Sequence, residues 1–123
     1  MIRYHGEQIG FYALPRLGEA VCGDDCVIHM EYQRVLLALI DGAGHGPEAR
    51  AVTDAAVELL SRLPTPTESG TAMNLLHARL HGTPGAAAIV AVLSRAGENW
   101  EGSYVAVGTS GLLWPARSPA FCR

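Results

Sequence analysis

The hydrophobic and polar positions of the chain predict a buried strand that ends at a carboxylate. The apolar run Val35–Ile40 is long enough for a strand buried on both faces and too short for a helix. It ends on Asp41, and glycine and alanine dominate the residues between Asp41 and Pro47, which indicates a tight turn into a helix. Asp41 is therefore expected at the end of a strand, where functional sites are often built.

A second apolar run precedes this strand and predicts a hairpin. Residues 26–30 are mainly apolar and are joined by a polar link to the run 35–40. An antiparallel partner brings the start of one strand beside the end of the other. We therefore expect Asp24 and Asp25, at the entry of the hairpin, to lie next to Asp41.

Two helices follow the turn. Apolar residues recur at helical spacing over 47–63, with proline in the first turn and Pro64 as the terminator. A second helical pattern covers 72–80, and Thr67 or Ser69 is expected to cap it.

The remaining apolar stretches predict further strands, so the order is strands, two helices, strands. This order is typical of an α+β domain with its helices packed on one face of a sheet. We expect one domain over 1–114 and an irregular tail over 115–123. The further predicted strands are Gln8–Leu14, Ala86–Leu93, Trp100–Val107 and Leu112–Trp114.

Composition narrows the class of function. The 123 residues are 49% hydrophobic and 17% charged, which favours a globular protein. A formal charge of -3 without clustered Lys or Arg argues against nucleic acid and anionic membranes as partners. No apolar stretch approaches the roughly 20 residues of a membrane span, and no signal-peptide core is present, so we expect a cytoplasmic protein. The three cysteines form no CxxC pair and are expected to be free thiols.

The acidic residues indicate a metal site. A carboxylate directly after a buried strand is costly to desolvate unless it is paired or binds a cation, and no basic residue follows Asp41 until Arg50. Asp24, Asp25 and a glycine carbonyl would complete an oxygen-rich site of the kind that Mg²⁺ and Mn²⁺ prefer. Each motif alone is also compatible with a solvated turn or a flexible glycine connection.

In combination, these motifs resemble the PPM (type 2C) family of metal-dependent serine/threonine protein phosphatases. Within that family the sequence is similar to the small bacterial phosphatases of stress-response partner-switching pathways, the stressosome-type enzymes. The motifs that carry the resemblance are Gly-Asp-Asp at 23–25, Asp-Gly-Ala-Gly-His-Gly-Pro-Glu-Ala at 41–49, Leu-His-Gly-Thr-Pro-Gly-Ala-Ala at 80–87 and Tyr-Val-Ala-Val-Gly-Thr at 104–109.

The resemblance implies a PPM-like β-sandwich of antiparallel sheets flanked by helices, in α-β-β-α layers, that lacks the C-terminal part of the domain. It implies that two Mn²⁺ or Mg²⁺ ions are held by Asp24, Asp41 and the carbonyl of Gly42, with Asp25 and His45 in supporting positions. A water between the ions would remove phosphate from Ser or Thr of a signalling partner protein, so no side chain serves as nucleophile. A homo-oligomer is compatible with this interpretation.

The sequence also departs from the family pattern. Aspartate occurs only at positions 24, 25, 41 and 54, so the later aspartates of the family have no counterpart. Ala43 stands where many members have a histidine, and Arg3 and Arg16 are only positional candidates for the phosphate-binding arginine. These departures predict either a fragment of a longer domain or a catalytically impaired interaction module with an incomplete metal site. A nucleotide-binding glycine loop is a third, weaker alternative.

Overall fold

A computed structural model describes residues 2–4, 7–11, 13–15, 17–64 and 66–108. Six strands and two helices lie in these ranges. Their bounds are β1 Ile2–Tyr4, β2 Glu7–Ile9, β3 Asp24–Glu31, β4 Arg34–Gly42, α1 Gly46–Ser61, α2 Ser69–Arg79, β5 Ala86–Ala96 and β6 Asn99–Val107.

The last four strands form one antiparallel sheet in the order β3-β4-β5-β6, while β1 and β2 pair as a separate antiparallel hairpin. Tight hairpins join β3 to β4 and β5 to β6, and both helices lie in the connection between β4 and β5. The result is an α+β fold, as the pattern of elements predicted.

Both helices pack on the same face of the sheet. Helix α1 contacts β3 and β4, and α2 contacts β5 and β6. Alternate residues of the central strands point towards the helices, because successive side chains of a strand face opposite sides. The core includes Val27 of β3; Leu36, Ala38 and Ile40 of β4; Val52, Ala56 and Leu60 of α1; Ala72, Met73 and Leu76 of α2; and Ala88, Val90 and Val92 of β5.

The opposite face of the sheet is also apolar, but no described helix covers it. Ile28, Leu37, Leu39 and Leu93 alternate with the core residues and are only partly buried there. The family resemblance implies a β-sandwich of two sheets. Besides the four-stranded sheet, the described residues form only the two-stranded β1-β2 sheet. No helix in the described part of the chain is long and apolar enough to cross a membrane.

The remaining sequence-based expectations have different outcomes. The strand expected at Gln8–Leu14 is wrong, because the chain pairs with itself as β1 and β2 and the pairing ends at Ile9, before Gly10. The second helical pattern, with its apolar positions over 72–80, is confirmed as a helix from Ser69 to Arg79. The strand predicted at Leu112–Trp114 and the tail 115–123 lie outside the described residues.

The predicted cap of α2 is also wrong. Glu68 occupies the N-cap position, and no side chain caps the helix. The hydroxyl of Thr67 instead donates to the carbonyl of Pro64. The hydroxyl of Ser69 shares a 2.8 Å hydrogen bond with that of Ser103 in β6, so the side chain ties the helix to the sheet.

Two glycines let α1 approach the sheet closely. A Cβ added to Gly23 would lie 2.6 Å from the Cβ of Ala49. A Cβ added to Gly42 would meet the carbonyl oxygen of Ala49 and, at 2.6 Å, the hydroxyl of Thr53. The helix therefore sits where only residues without a side chain fit beneath it.

We expect Gly42→Ala to lower the free energy of unfolding by about 2 kcal/mol, because the added methyl group has no room to relax against the helix backbone. Gly70→Ala is the matched control: Gly70 lies in the first turn of α2, and a Cβ there has no atom within 4 Å. The control should gain about 0.5 kcal/mol from the lower entropy of the unfolded chain. Urea unfolding measures both values, and a Gly42→Ala midpoint equal to that of the wild type would contradict the close approach.

Candidate functional site

Two aspartates face each other at one end of the sheet. Asp24 is the first residue of β3 and lies directly opposite Asp41 of β4 in the antiparallel register. Their positions in the strand alternation put both on the face away from the helices. The expectation that Asp24 lies beside Asp41 is therefore confirmed.

The register places like charges together. The pKa of Asp24 is raised from 3.8 to about 6 by partial burial of its carboxyl, by a hydrogen bond with Asp41 and by repulsion from the Asp41 charge. A proton shared by the two carboxylates, or a cation bound between them, would relieve this repulsion.

Asp25 does not join this pair. It pairs in register with Ile40 and faces α1, where its carboxylate accepts a 2.8 Å hydrogen bond from Nη2 of Arg50. Nη1 of Arg50 donates to the carbonyl of Cys22 at 3.1 Å and to that of Asp24 at 3.5 Å. Asp25 therefore supports the site indirectly, because its ion pair holds the guanidinium that fixes the backbone of Asp24.

The same backbone is held from two further directions. The hydroxyl of Thr53 donates to the carbonyl of Gly23 at 2.5 Å, and the amide of Gly42 donates to that same carbonyl at 3.0 Å. The amide of Ala43 donates to the carbonyl of Gly85 at 2.9 Å, which ties the turn after Asp41 to the entry of β5. The two carboxylates are thus mounted on backbone that several elements hold.

His45 lies at the turn that leads from Asp41 into α1. It is the N-cap residue of the helix, with extended backbone and no side-chain capping bond. Its Nδ1 is hydrogen-bonded to the carboxylate of Glu19, a residue 26 positions earlier in the chain. The His45 side chain is 57% exposed and that of Glu19 is 21% exposed, so the ring stands in solvent while the carboxylate that holds it is largely covered.

The donors present fit a single hard cation. Asp24 and Asp41 offer carboxylate oxygens on adjacent strands, and Mg²⁺ is commonly held by one or two carboxylates, with water and substrate phosphate completing its shell. No group of three or more His, Cys, Asp or Glu side chains that could hold a metal occurs among the described residues. The carboxylate pair is therefore compatible with one ion and does not by itself form a closed cage.

Three residues that matter here were not predicted from the sequence. Glu19, Arg50 and Thr53 reach the site through contacts that span 25 to 30 positions of sequence. The alternation of strand residues could have separated Asp25 from Asp24, since neighbours on a strand face opposite sides. The phosphate-binding candidates remain untested, because Arg16 and the side chain of Arg3 lie outside the described residues.

Comparisons with known proteins support the fold. No family model matches the sequence, and no curated protein matches it. A solved structure described as "The bacterial stressosome: a modular system that has been adapted to control secondary messenger signaling" is similar with a TM-score of 0.69 and 32% identity, over 81% of this chain and 50% of that one. A structure of RsbX in complex with magnesium is similar with a TM-score of 0.61 and 20% identity, over 68% of this chain and 41% of that one.

This chain thus spans half or less of the length of these two structures. The likeness to RsbX shows the fold alone. Together the two neighbours support a fold related to bacterial stress-response proteins.

The electrostatic conflict between Asp24 and Asp41 makes a testable difference to stability. The pKa of Asp24 is about 6 in the folded protein, above its ordinary value of 3.8. Protonated Asp24 therefore contributes its full share to the free energy of unfolding below pH 3.8, and this contribution is lost as the pH rises through 6. We expect Asp24→Asn to match the wild type near pH 4. At about pH 7.5 it should be more stable by about 1 kcal/mol, a figure reduced for solvent screening of this partly exposed group.

Urea unfolding across this pH range, without divalent cations, checks the difference. Asp54→Asn is the control, because Asp54 is exposed and bonds Nε of Arg50 at 2.8 Å. Its removal costs an ion pair, so this variant should not exceed the wild type in stability at any pH. A stability difference between Asp24→Asn and the wild type that stays constant from pH 4 to 7.5 would contradict the repulsion.

Proposed function

We propose that this chain carries the carboxylate centre of a PPM-type serine/threonine protein phosphatase that acts in bacterial stress-response signalling. The single observation that carries the proposal is the cross-strand pairing of Asp24 with Asp41. The similarity to a solved stressosome structure and to a magnesium-bound RsbX structure supports the signalling context and the type of cofactor.

The chemistry of the pair favours a divalent cation over a structural role. Two carboxylates on adjacent strands oppose folding when both are charged, and a divalent cation removes that cost. Asp25 cannot serve this purpose, because Arg50 already neutralises it on the other face of the sheet. Asp24 and Asp41 would hold the cation, with the carbonyl of Gly42 as a further oxygen ligand.

When bound, Mn²⁺ or Mg²⁺ supplies a Lewis acid that activates water for attack on phosphorus. The chain itself holds the carboxylates of Asp24 and Asp41 in fixed positions. Arg50 and Thr53 hold the backbone beside Asp24, and the bond from the Ala43 amide to Gly85 holds the turn after Asp41. Asp41 is exposed, so a phosphorylated side chain of a partner protein could reach the pair from solvent.

The expected activity is hydrolysis of a phosphoserine peptide that depends on Mn²⁺ or Mg²⁺. Asp41→Asn should reduce this activity by about 10³-fold, because it removes the charge that holds the cation. Release of inorganic phosphate measures the rate. Asp54→Asn is the matched control and should keep the wild-type rate, since the Asp54 carboxylate pairs with Arg50 on the exposed side of α1. Equal activity of Asp41→Asn and the wild type would overturn the proposal.

Cation binding provides a second readout that does not depend on turnover. Mn²⁺ should raise the melting temperature of the wild type and of Asp54→Asn, because a ligand that binds only the folded state stabilises it. Asp24→Asn and Asp41→Asn should show little shift at the same concentration. An equal shift in all four proteins would place the cation elsewhere.

A second function is a non-catalytic interaction module that keeps the fold. The observation that favours it is that the described residues include no cluster of three potential metal-ligating side chains. This alternative predicts binding of a phosphorylated partner without release of phosphate, whether or not Mn²⁺ is present. Calorimetry with a phosphopeptide, beside the hydrolysis assay, distinguishes the two functions.

A further inference from the structure

Asp24 begins β3, which is an edge strand among the strands that the structure describes. In an antiparallel ladder the backbone groups of successive residues point alternately towards the partner strand and away from it. The carbonyl of Gly23 points towards β4, because it accepts the amide of Gly42. The backbone N–H and C=O of Asp24 therefore point away from β4, and the pairing with that strand does not hold them.

The guanidinium of Arg50 binds the backbone on this outer side of β3. Its Nη1 donates to the carbonyl of Cys22 at 3.1 Å and to that of Asp24 at 3.5 Å. These two carbonyls alternate along the chain, and they are the ones that a further strand beside β3 would bind. Arg50 thus takes the place of a neighbouring strand at the entry of β3, although it belongs to a helix.

The guanidinium is itself held by the carboxylate of Asp25. Nη2 of Arg50 donates to Oδ2 of Asp25 at 2.8 Å, and Oδ1 of the same carboxylate accepts the amide of Cys26, also at 2.8 Å. The Arg50 side chain is 23% exposed and that of Asp25 is 27% exposed, so solvent screens this ion pair little. The planar guanidinium can bind two carbonyls and a carboxylate at once, which a lysine ammonium does less well.

The position of Asp24 needs such support because its carboxylate is repelled by that of Asp41. The two residues are directly opposite in the register and belong to a pair that exchanges no backbone hydrogen bonds, the type in which side chains lie closest. The start of an edge strand opens at little cost in free energy, so repulsion favours its movement away from β4. Carboxylates that have moved apart must be brought together again to bind a cation, which lowers affinity.

We propose that Arg50 is a positioning residue that raises the affinity of the Asp24–Asp41 pair for a divalent cation by holding the entry of β3 against β4. This inference rests on the proposed function and adds to it the residue that sets the cation affinity. It opposes the simple Coulomb expectation, in which a positive charge near a cation site repels the cation. That repulsion is small here, because the Arg50 charge is paired with Asp25 on the helix side of the sheet.

Calorimetric titration with Mn²⁺ distinguishes positioning from Coulomb repulsion, because the two effects have opposite signs. Arg50→Met removes the charge and the donors, and its dissociation constant for Mn²⁺ should rise by about 10- to 100-fold. Arg50→Lys keeps the charge without the planar group and should also bind Mn²⁺ several-fold more weakly than the wild type. Unchanged or tighter binding by Arg50→Met, or wild-type affinity in Arg50→Lys, would overturn the inference.

Val92→Ala is the control for a general loss of stability. Val92 is buried in the core and pairs with Leu36, towards the end of the sheet away from Asp41. Its truncation should lower the free energy of unfolding but leave the Mn²⁺ affinity of the folded protein unchanged. If Val92→Ala lost as much affinity as Arg50→Met, Arg50 would only maintain stability, and the positioning role would be wrong.

Hydrogen exchange tests the positioning role without a cation. The amide of Gly42 donates to the carbonyl of Gly23 at the entry of β3, whereas the amide of Arg95 donates to the carbonyl of Gln33 at the other end of the sheet. In Arg50→Met the Gly42 amide should exchange faster than in the wild type, and the Arg95 amide should keep its wild-type rate. Equal protection of Gly42 in both proteins would contradict the role of Arg50.

The titration also separates this inference from the proposed function. If the wild type binds Mn²⁺ and hydrolyses no phosphoserine peptide, the proposed function fails, while the affinities of the Arg50 variants still decide whether Arg50 positions Asp24. If the wild type binds no Mn²⁺, the proposed function and the inference both fail.

Discussion

The register of the β3-β4 hairpin is the constraint on which the site depends. Sheet pairing sets Asp24 directly across from Asp41, and the chain cannot relieve the repulsion by shifting the strand. A shift of β3 by one residue would turn Val27 out of the core and place Asp24 and Ile28 on the helix side of the sheet. Hydrophobic burial on one face of the sheet thus enforces an electrostatic conflict on the other.

The conflict is tolerated because the opposite face is tightly held. Arg50 and Thr53, both on α1, bond the backbone carbonyls at the entry of β3 from the helix side of the sheet. The ion pair of Arg50 with Asp25 neutralises the one nearby carboxylate that faces the core. Contacts on the helix side of the sheet therefore fix the backbone at the entry of β3, and the opposite face carries the carboxylates of Asp24 and Asp41.

Local periodicity predicted much of this arrangement. The apolar run before Asp41 and the helical spacing after Pro47 were sufficient for β4 and α1, because burial alone determines such elements. The partners of Asp25 and His45 could not be predicted, since Arg50 and Glu19 meet them only through tertiary packing. The segment before β3 has no clear periodicity, and nothing in it marked Glu19 as a site residue.

The position of both helices between β4 and β5 bears on the order of folding. The β3-β4 hairpin is closed by a short turn, whereas the pairing of β4 with β5 joins residues as far apart as Arg34 and Ser94, 60 positions along the chain. Loop-closure entropy disfavours such distant pairing until the intervening segment is compact. Asp24 and Asp41 are therefore brought together by a local hairpin contact, and the slow, long-range step of folding proceeds with the two carboxylates already paired.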